Sequence, residues 1–154
     1  MKTNRQLTKL LQNTLEIAKL AGDYEKVKGV ANYDLESNSV SLNIYAINKE
    51  EKVRLIDLRK DNAVLSSKWS DLSIDYIMFG LDNFNKYPDQ MFFEIDCITG
   101  HFNIDFKQDI FHEDYSSLNE SALFDYHITG KVPNNDFMRK ELNKALIFHD
   151  EKTV

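Results

Sequence analysis

A chain of 154 residues has the length of one ordinary domain and enough material for a buried core. Hydrophobic residues at 42% and aromatic residues at 12% exclude a disordered chain, and no run of about 18 apolar residues is present to cross a membrane. A net charge of −6 disfavours direct nucleic-acid binding, because contact with phosphates needs a basic face. The single cysteine, Cys97, excludes an intrachain disulfide framework and suits a reducing cytoplasm.

In chain order, no continuous apolar stretch follows Met1–Gln6, so no signal peptide is expected. Residues 4–21 read as an amphipathic helix with Leu7, Leu10, Leu11, Thr14, Leu15, Ala18 and Ala21 on one side, ended by Gly22-Asp23. The period then changes to two. Val27, Gly29, Ala31 and Tyr33 predict a first strand, with a turn at Glu36-Ser37-Asn38-Ser39. Val40, Leu42, Ile44 and Ala46 predict a second, and Asn48–Glu51 a polar turn. Val53, Leu55 and Asp57 alternate with Arg54, Ile56 and Leu58 in an expected third strand.

Ser66 or Ser67 can cap a second helix, whose expected apolar stripe is Trp69, Leu72, Ile74, Ile77, Leu81 and Phe84, with Pro88 as the stop. Met91–Ile98 reads as a fourth strand, Thr99-Gly100 as a turn and His101–Phe106 as the returning strand. Ser117-Leu118-Asn119-Glu120 has the spacing of a capping box before a short helix through Tyr126. Gly130–Pro133 is a break, and Asn134 or Asn135 caps a last helix through about Phe148. The expectation is a single α+β domain over 1–154, in the order α-βββ-α-ββ-αα. Its five-stranded sheet should be mainly antiparallel, with helices packed on one face.

Charge is distributed unevenly along this plan. Asp71, Asp75, Asp82, Asp89, Glu94, Asp96, Asp105, Asp109, Glu113, Asp114, Glu120 and Asp125 face only Lys86 and Lys107 as bases in the same span. The first 60 residues are slightly basic. Folding does not require such a field, and self-repulsion makes it mildly costly, whereas a basic partner would be steered by it. A plain solvated acidic surface is the alternative reading.

Catalytic signatures are sparse. Pro88-Asp89 followed by Asp105-Phe106-Lys107 fits the loose PD…(D/E)xK pattern of metal-dependent nucleases, in which two carboxylates hold a divalent cation and the lysine aligns water. The pattern is short and permissive, and the acidic surroundings oppose a phosphate backbone. His101, His112, His127 and His149 lack zinc-site spacing, and Cys97 has no second thiol. GxSxG, P-loop and GxGxxG motifs are absent from the sequence. The expectation is no catalytic residues, no metal and no cofactor. The acidic span is interleaved with aromatic residues, among them Tyr76, Tyr87, Tyr115 and Tyr126. Tyrosines among carboxylates are the composition of a surface that binds a basic protein.

Four segments, in order, resemble the YezG/EsaG-like immunity proteins, small acidic antitoxins of secreted bacterial nuclease toxins. They are Tyr24-Glu25-Lys26-Val27 after the first helix, the amphipathic helix from Trp69 to Phe84, Gly100–Phe106, and Tyr126–Pro133 closing in Gly-x-x-Pro. Gly22-Asp23 stands where the family has a proline, and Pro88–Met91 stands where it often has a tryptophan. Immunity proteins of other systems, such as contact-dependent inhibition, fit almost as well. The resemblance implies a cytoplasmic α+β antitoxin, without catalysis, that binds a cognate toxin domain. The expected partner-binding residues are Glu94, Asp96, Asp105, Asp109, Glu113, Asp114 and Tyr115, with Asp82 and Asp89 second. Strand alternation turns Glu94, Asp96 and Asp105 outward, and the 109–115 loop is a natural recognition element.

Overall fold

The computed structural model describes residues 2–34, 37–84, 88–112 and 114–154, with backbone only for 2–4. The chain divides into two compact units, Met1–Gln108 and Asp109–Val154. In the first, helix α1 (Lys2–Ala21) precedes strands β1 (Lys26–Asp34), β2 (Ser39–Ile47) and β3 (Lys52–Arg54). A 3-10 helix (Leu55–Asp61), helix α2 (Ala63–Asn83), β4 (Gln90–Asp96) and β5 (Phe102–Lys107) follow. The five strands form one antiparallel sheet in the order β3-β2-β1-β4-β5.

Alternation along each strand decides which side chains enter the core. Val27, Ala31 and Tyr33 of β1, Leu42, Ile44 and Ala46 of β2, and Met91, Phe93 and Ile95 of β4 share one face. Leu10, Leu11, Ile17 and Ala18 of α1 and Leu65, Trp69, Leu72, Tyr76 and Phe79 of α2 cover that face. Each large side chain removed from water here contributes about 1.5–3 kcal/mol before the entropy of ordering is subtracted. Gly29 is required by packing: a Cβ built on it would overlap the ring of Phe93, its cross-strand partner. Below the helices, the Tyr76 hydroxyl lies 3.0 Å from Thr14 Oγ1, which itself donates to the Leu10 carbonyl. With the threonine proton committed, Tyr76 is the donor.

Several expected boundaries move. The third strand ends at Arg54 and the chain tightens into a 3-10 helix that buries Leu55. Apolar residues occupy both parities from Val53 to Leu58, so no single face fixes a longer strand. Asn62, rather than Ser66 or Ser67, caps α2, its Oδ1 accepting from the Leu65 N–H at 3.0 Å. The inward stripe of α2 is Leu65, Trp69, Leu72, Tyr76 and Phe79, while Ile74 and Leu81 face out. β4 ends at Asp96, two residues before Ile98. The turn beyond Asp34 contains Asn38 at φ +50°, a conformation asparagine tolerates; Glu36 lies outside the described residues.

The second unit is a helical hairpin of α3 (Ser117–Thr129) and α4 (Asp136–Phe148). Ser116, not Ser117, precedes α3; its N–H donates to Asn119 Oδ1 at 2.9 Å, so asparagine takes the reciprocal role expected of Glu120. Gly130 ends α3 at φ +70°, and Asn135 caps α4 by accepting from the Met138 N–H. Tyr115, Ala122, Leu123, Leu142, Ala145 and Leu146 form its core. No helix among the described residues is long and apolar enough to cross a membrane.

Candidate partner-binding surfaces

The β4–β5 hairpin carries three of the expected contacts, and each is engaged within its own unit. Glu94 lies on the sheet face opposite the core residues Phe93 and Ile95, with Lys26 Nζ 2.8 Å from its Oε1. A hydrogen bond and the carboxylate charge together hold the Lys26 ammonium pKa above its ordinary value. Asp96 Oδ1 accepts from the backbone N–H groups of Ile98 (2.8 Å) and Thr99 (3.0 Å), closing an Asx turn into Gly100. Those two bonds, Thr99 first, hold its carboxyl below the usual carboxylate range. Asp105 pairs with Lys107, two residues on along the same face of β5, at 3.2 Å.

The remaining candidates fall into different environments. Asp82, near the end of α2, accepts from Gln6 Nε2 at 2.9 Å. Asp89 is only 7% exposed, with its backbone N–H on the Lys107 carbonyl and its own carbonyl receiving the Tyr33 N–H. It is an interior residue rather than the surface contact expected. Strand alternation from Gln90 sets position 89 on the Met91 side, whereas Asp105 lies opposite Phe92 on the other side of the sheet. Among the described residues, no three His, Cys, Asp or Glu side chains converge as a metal-holding group.

In the second unit, Asp109 is exposed at φ +56° and Asp114 is exposed, with its N–H on His112 Nδ1 at 3.2 Å. Glu113 lies outside the described residues. Tyr115, expected at the surface, is 3% exposed. Its ring stacks on Phe148 at a centroid distance of 4.0 Å, and its hydroxyl donates to Glu120 Oε1 at 2.6 Å. Burial, and then the Glu120 carboxylate, push the Tyr115 phenol pKa far above its ordinary value. The same Glu120 oxygen meets His149 Nε2 at 2.7 Å, so one buried carboxylate ties the entry of α3 to the end of α4.

The outer side of α2 has a different character. Ile74, Met78 and Leu81 are 57%, 47% and 53% exposed and recur at spacings of four and three, which aligns them along the helix. Asp71, Asp75 and Asp82 run beside them at spacings of four and seven. Between α1 and α2 open two clefts of about 210 Å³ each. Glu16, Asp71 and Asp75 contribute carboxylates to the first, with Lys68 as its base; Lys9, Asp75 and Met78 line the second. Among the described residues, the carboxylates of Glu16, Asp71 and Asp75 make no hydrogen bond or ion pair. Helical periodicity applied to both sides of α2 singles out this stripe, whereas a single stripe through Ile74 and Leu81 places them in the core; Glu16 lies outside the acidic span.

No protein-family model matches the chain, and no curated protein matches it.

Proposed function

We propose that this chain is an immunity protein that binds a cognate bacterial toxin domain, a nuclease, in the cytoplasm and occludes the toxin's basic active site with an acidic surface. The observation that carries this reading is the excess of twelve acids over two bases between Asp71 and Asp125, a field whose self-repulsion opposes folding and which a basic partner would relieve. The resemblance to YezG/EsaG-like antitoxins points to the same class of partner. The chain acts by binding rather than by catalysis.

The mechanism is charge complementarity. A nuclease holds its substrate with lysines and arginines, and carboxylates that occupy those positions compete directly with phosphate. Pairs that are fully desolvated in the complex can carry about 1.5–7 kcal/mol of coupling, while pairs at the rim act mainly on the association rate. The test takes the product of the neighbouring gene as the candidate toxin and co-expresses it with this chain, scored for survival and for a complex that co-purifies. Survival together with a stable complex is expected; toxin death unchanged by the chain, with no complex, would overturn the reading.

A further inference from the structure

The outward side of α2 combines an apolar stripe with an acidic edge. Its apolar stripe, Ile74, Met78 and Leu81, spans two helical turns, about 10 Å along the axis. Isolated exposed apolar residues need no explanation, but three in line make a contiguous patch. Along the edge facing α1 the patch is bordered by Asp71, Asp75 and Asp82. Glu16 adds a fourth carboxylate from α1 across the cleft, against Lys9 and Lys68 as the local bases.

We propose that this face of α2, with the α1–α2 cleft beside it, is the docking surface for a basic amphipathic helix of the partner protein. The assignment rests on the binding reading above and names the place and the chemistry of the contact. Apolar anchors of the incoming helix pack on Ile74, Met78 and Leu81, in the manner of ridges entering grooves. Its lysines and arginines reach over the acidic edge into the cleft, where Glu16 and Asp71 meet them.

Charge selects this occupant. A second copy presenting the same face would bring carboxylates of like sign to the contact. The carboxylates of Glu16, Asp71 and Asp75 are not already committed, unlike Glu94, Asp96 and Asp105, so meeting a cation costs no existing pair. The interface therefore sits on the helical side of the first unit, and the β4–β5 hairpin is subsidiary.

The experiment uses the full chain and a labelled Leu/Lys peptide of about 18 residues patterned as an amphipathic helix, with a scrambled peptide of the same composition as control. Binding is followed by fluorescence anisotropy. The patterned peptide is expected to bind at least about tenfold tighter than the scrambled one, and Ile74→Ser/Leu81→Ser to weaken it at least about tenfold. Asp71→Asn/Asp75→Asn should weaken it and flatten its salt dependence, while Glu94→Gln/Asp105→Asn should stay within about twofold. All these positions are exposed or half-exposed, and thermal melts establish that each variant folds.

Equal binding of the two peptides, or α2 variants that bind as the parent does, would overturn the proposal. So would a dimer of the parent chain in sedimentation that Ile74→Ser/Leu81→Ser abolishes, because a second copy would then be the occupant. The two readings fail separately. Protection from toxin that survives the α2 substitutions removes the docking assignment alone, and peptide binding at α2 without toxin neutralisation removes the immunity reading alone.

Discussion

Lys26 on β1 reaches diagonally to Glu94 on β4, so that an outward carboxylate of the β4–β5 hairpin is already paired inside its own sheet. Both side chains are more than a third exposed, and solvent screens the pair. Glu94→Gln is accordingly expected to change unfolding free energy by less than about 1 kcal/mol in urea titrations. The Lys26 ammonium should then titrate closer to its ordinary value, a shift that NMR can follow.

Gly29 and Phe93 form a second obligatory pair. A methyl group at position 29 has to displace the Phe93 ring, which is buried between β1 and the helices. Gly29→Ala is expected to destabilise the fold by about 1–3 kcal/mol, the usual cost of overpacking. Phe93→Leu in the same chain should recover part of the loss, because the smaller side chain vacates the space. A Gly29→Ala chain as stable as the parent in chemical denaturation would contradict this packing.

Alkaline titration should separate the seven tyrosines. Burial pushes the Tyr76 phenol far above its usual range, and Tyr115 is pushed the same way by burial and by Glu120. In the unfolded chain both ionise near pH 10, so the folded state holds more protons than the unfolded state above that value. Stability from these groups is complete below about pH 10 and declines as the pH rises beyond it. Ultraviolet titration is expected to show Tyr76 and Tyr115 ionising only on unfolding, and Tyr76→Phe and Tyr115→Phe each to remove one such delayed phenol.

Asp96 works at the opposite end of the scale. Its carboxylate accepts two backbone N–H groups and its pKa is depressed, so its contribution is present above the unfolded value near pH 4 and lost as pH falls through the lower folded value. NMR titration should place Asp96 below the usual carboxylate range. Asp96→Asn keeps an acceptor oxygen and should preserve the turn at Gly100 without the acid dependence. Asp96→Ala should loosen the turn, seen as faster amide exchange at Ile98 and Thr99.

Period-two alternation was enough to place the sheet and its core face, because β1, β2 and β4 each carry apolar residues on that parity throughout. The α+β order was legible for a related reason: the short connections β2–β3, β4–β5 and α3–α4 announce themselves by turn or capping residues, Asn48, Gly100 and Asn135. Helix α2 was harder. It is apolar on two sides, so a stripe drawn through Trp69, Leu72, Ile74, Ile77 and Leu81 mixes residues that face the sheet with residues that face out. Burial of Tyr76 and Phe79 together with Leu65, Trp69 and Leu72 decides which side is inside.

The candidate contacts were legible as chemistry but not as availability. Carboxylates can be read from the sequence, whereas Asp89 is taken by burial, Asp96 by a turn, and Glu94 and Asp105 by lysines. Tyr115 closes the 109–115 loop, a natural recognition element by sequence, yet a stacking partner 33 residues away, Phe148, and the carboxylate of Glu120 draw it inward. The stack of Tyr115 on Phe148 leaves no local sequence signal.

The central claim is that negative charge on this chain guides a positively charged protein to it. Stopped-flow association with the co-purified toxin domain, measured between about 50 and 300 mM salt, tests it most directly. The account predicts an association rate that falls at least about tenfold across that range, with Asp71→Asn/Asp75→Asn lowering both the rate and its slope. A rate that does not respond to salt in the parent chain would contradict it.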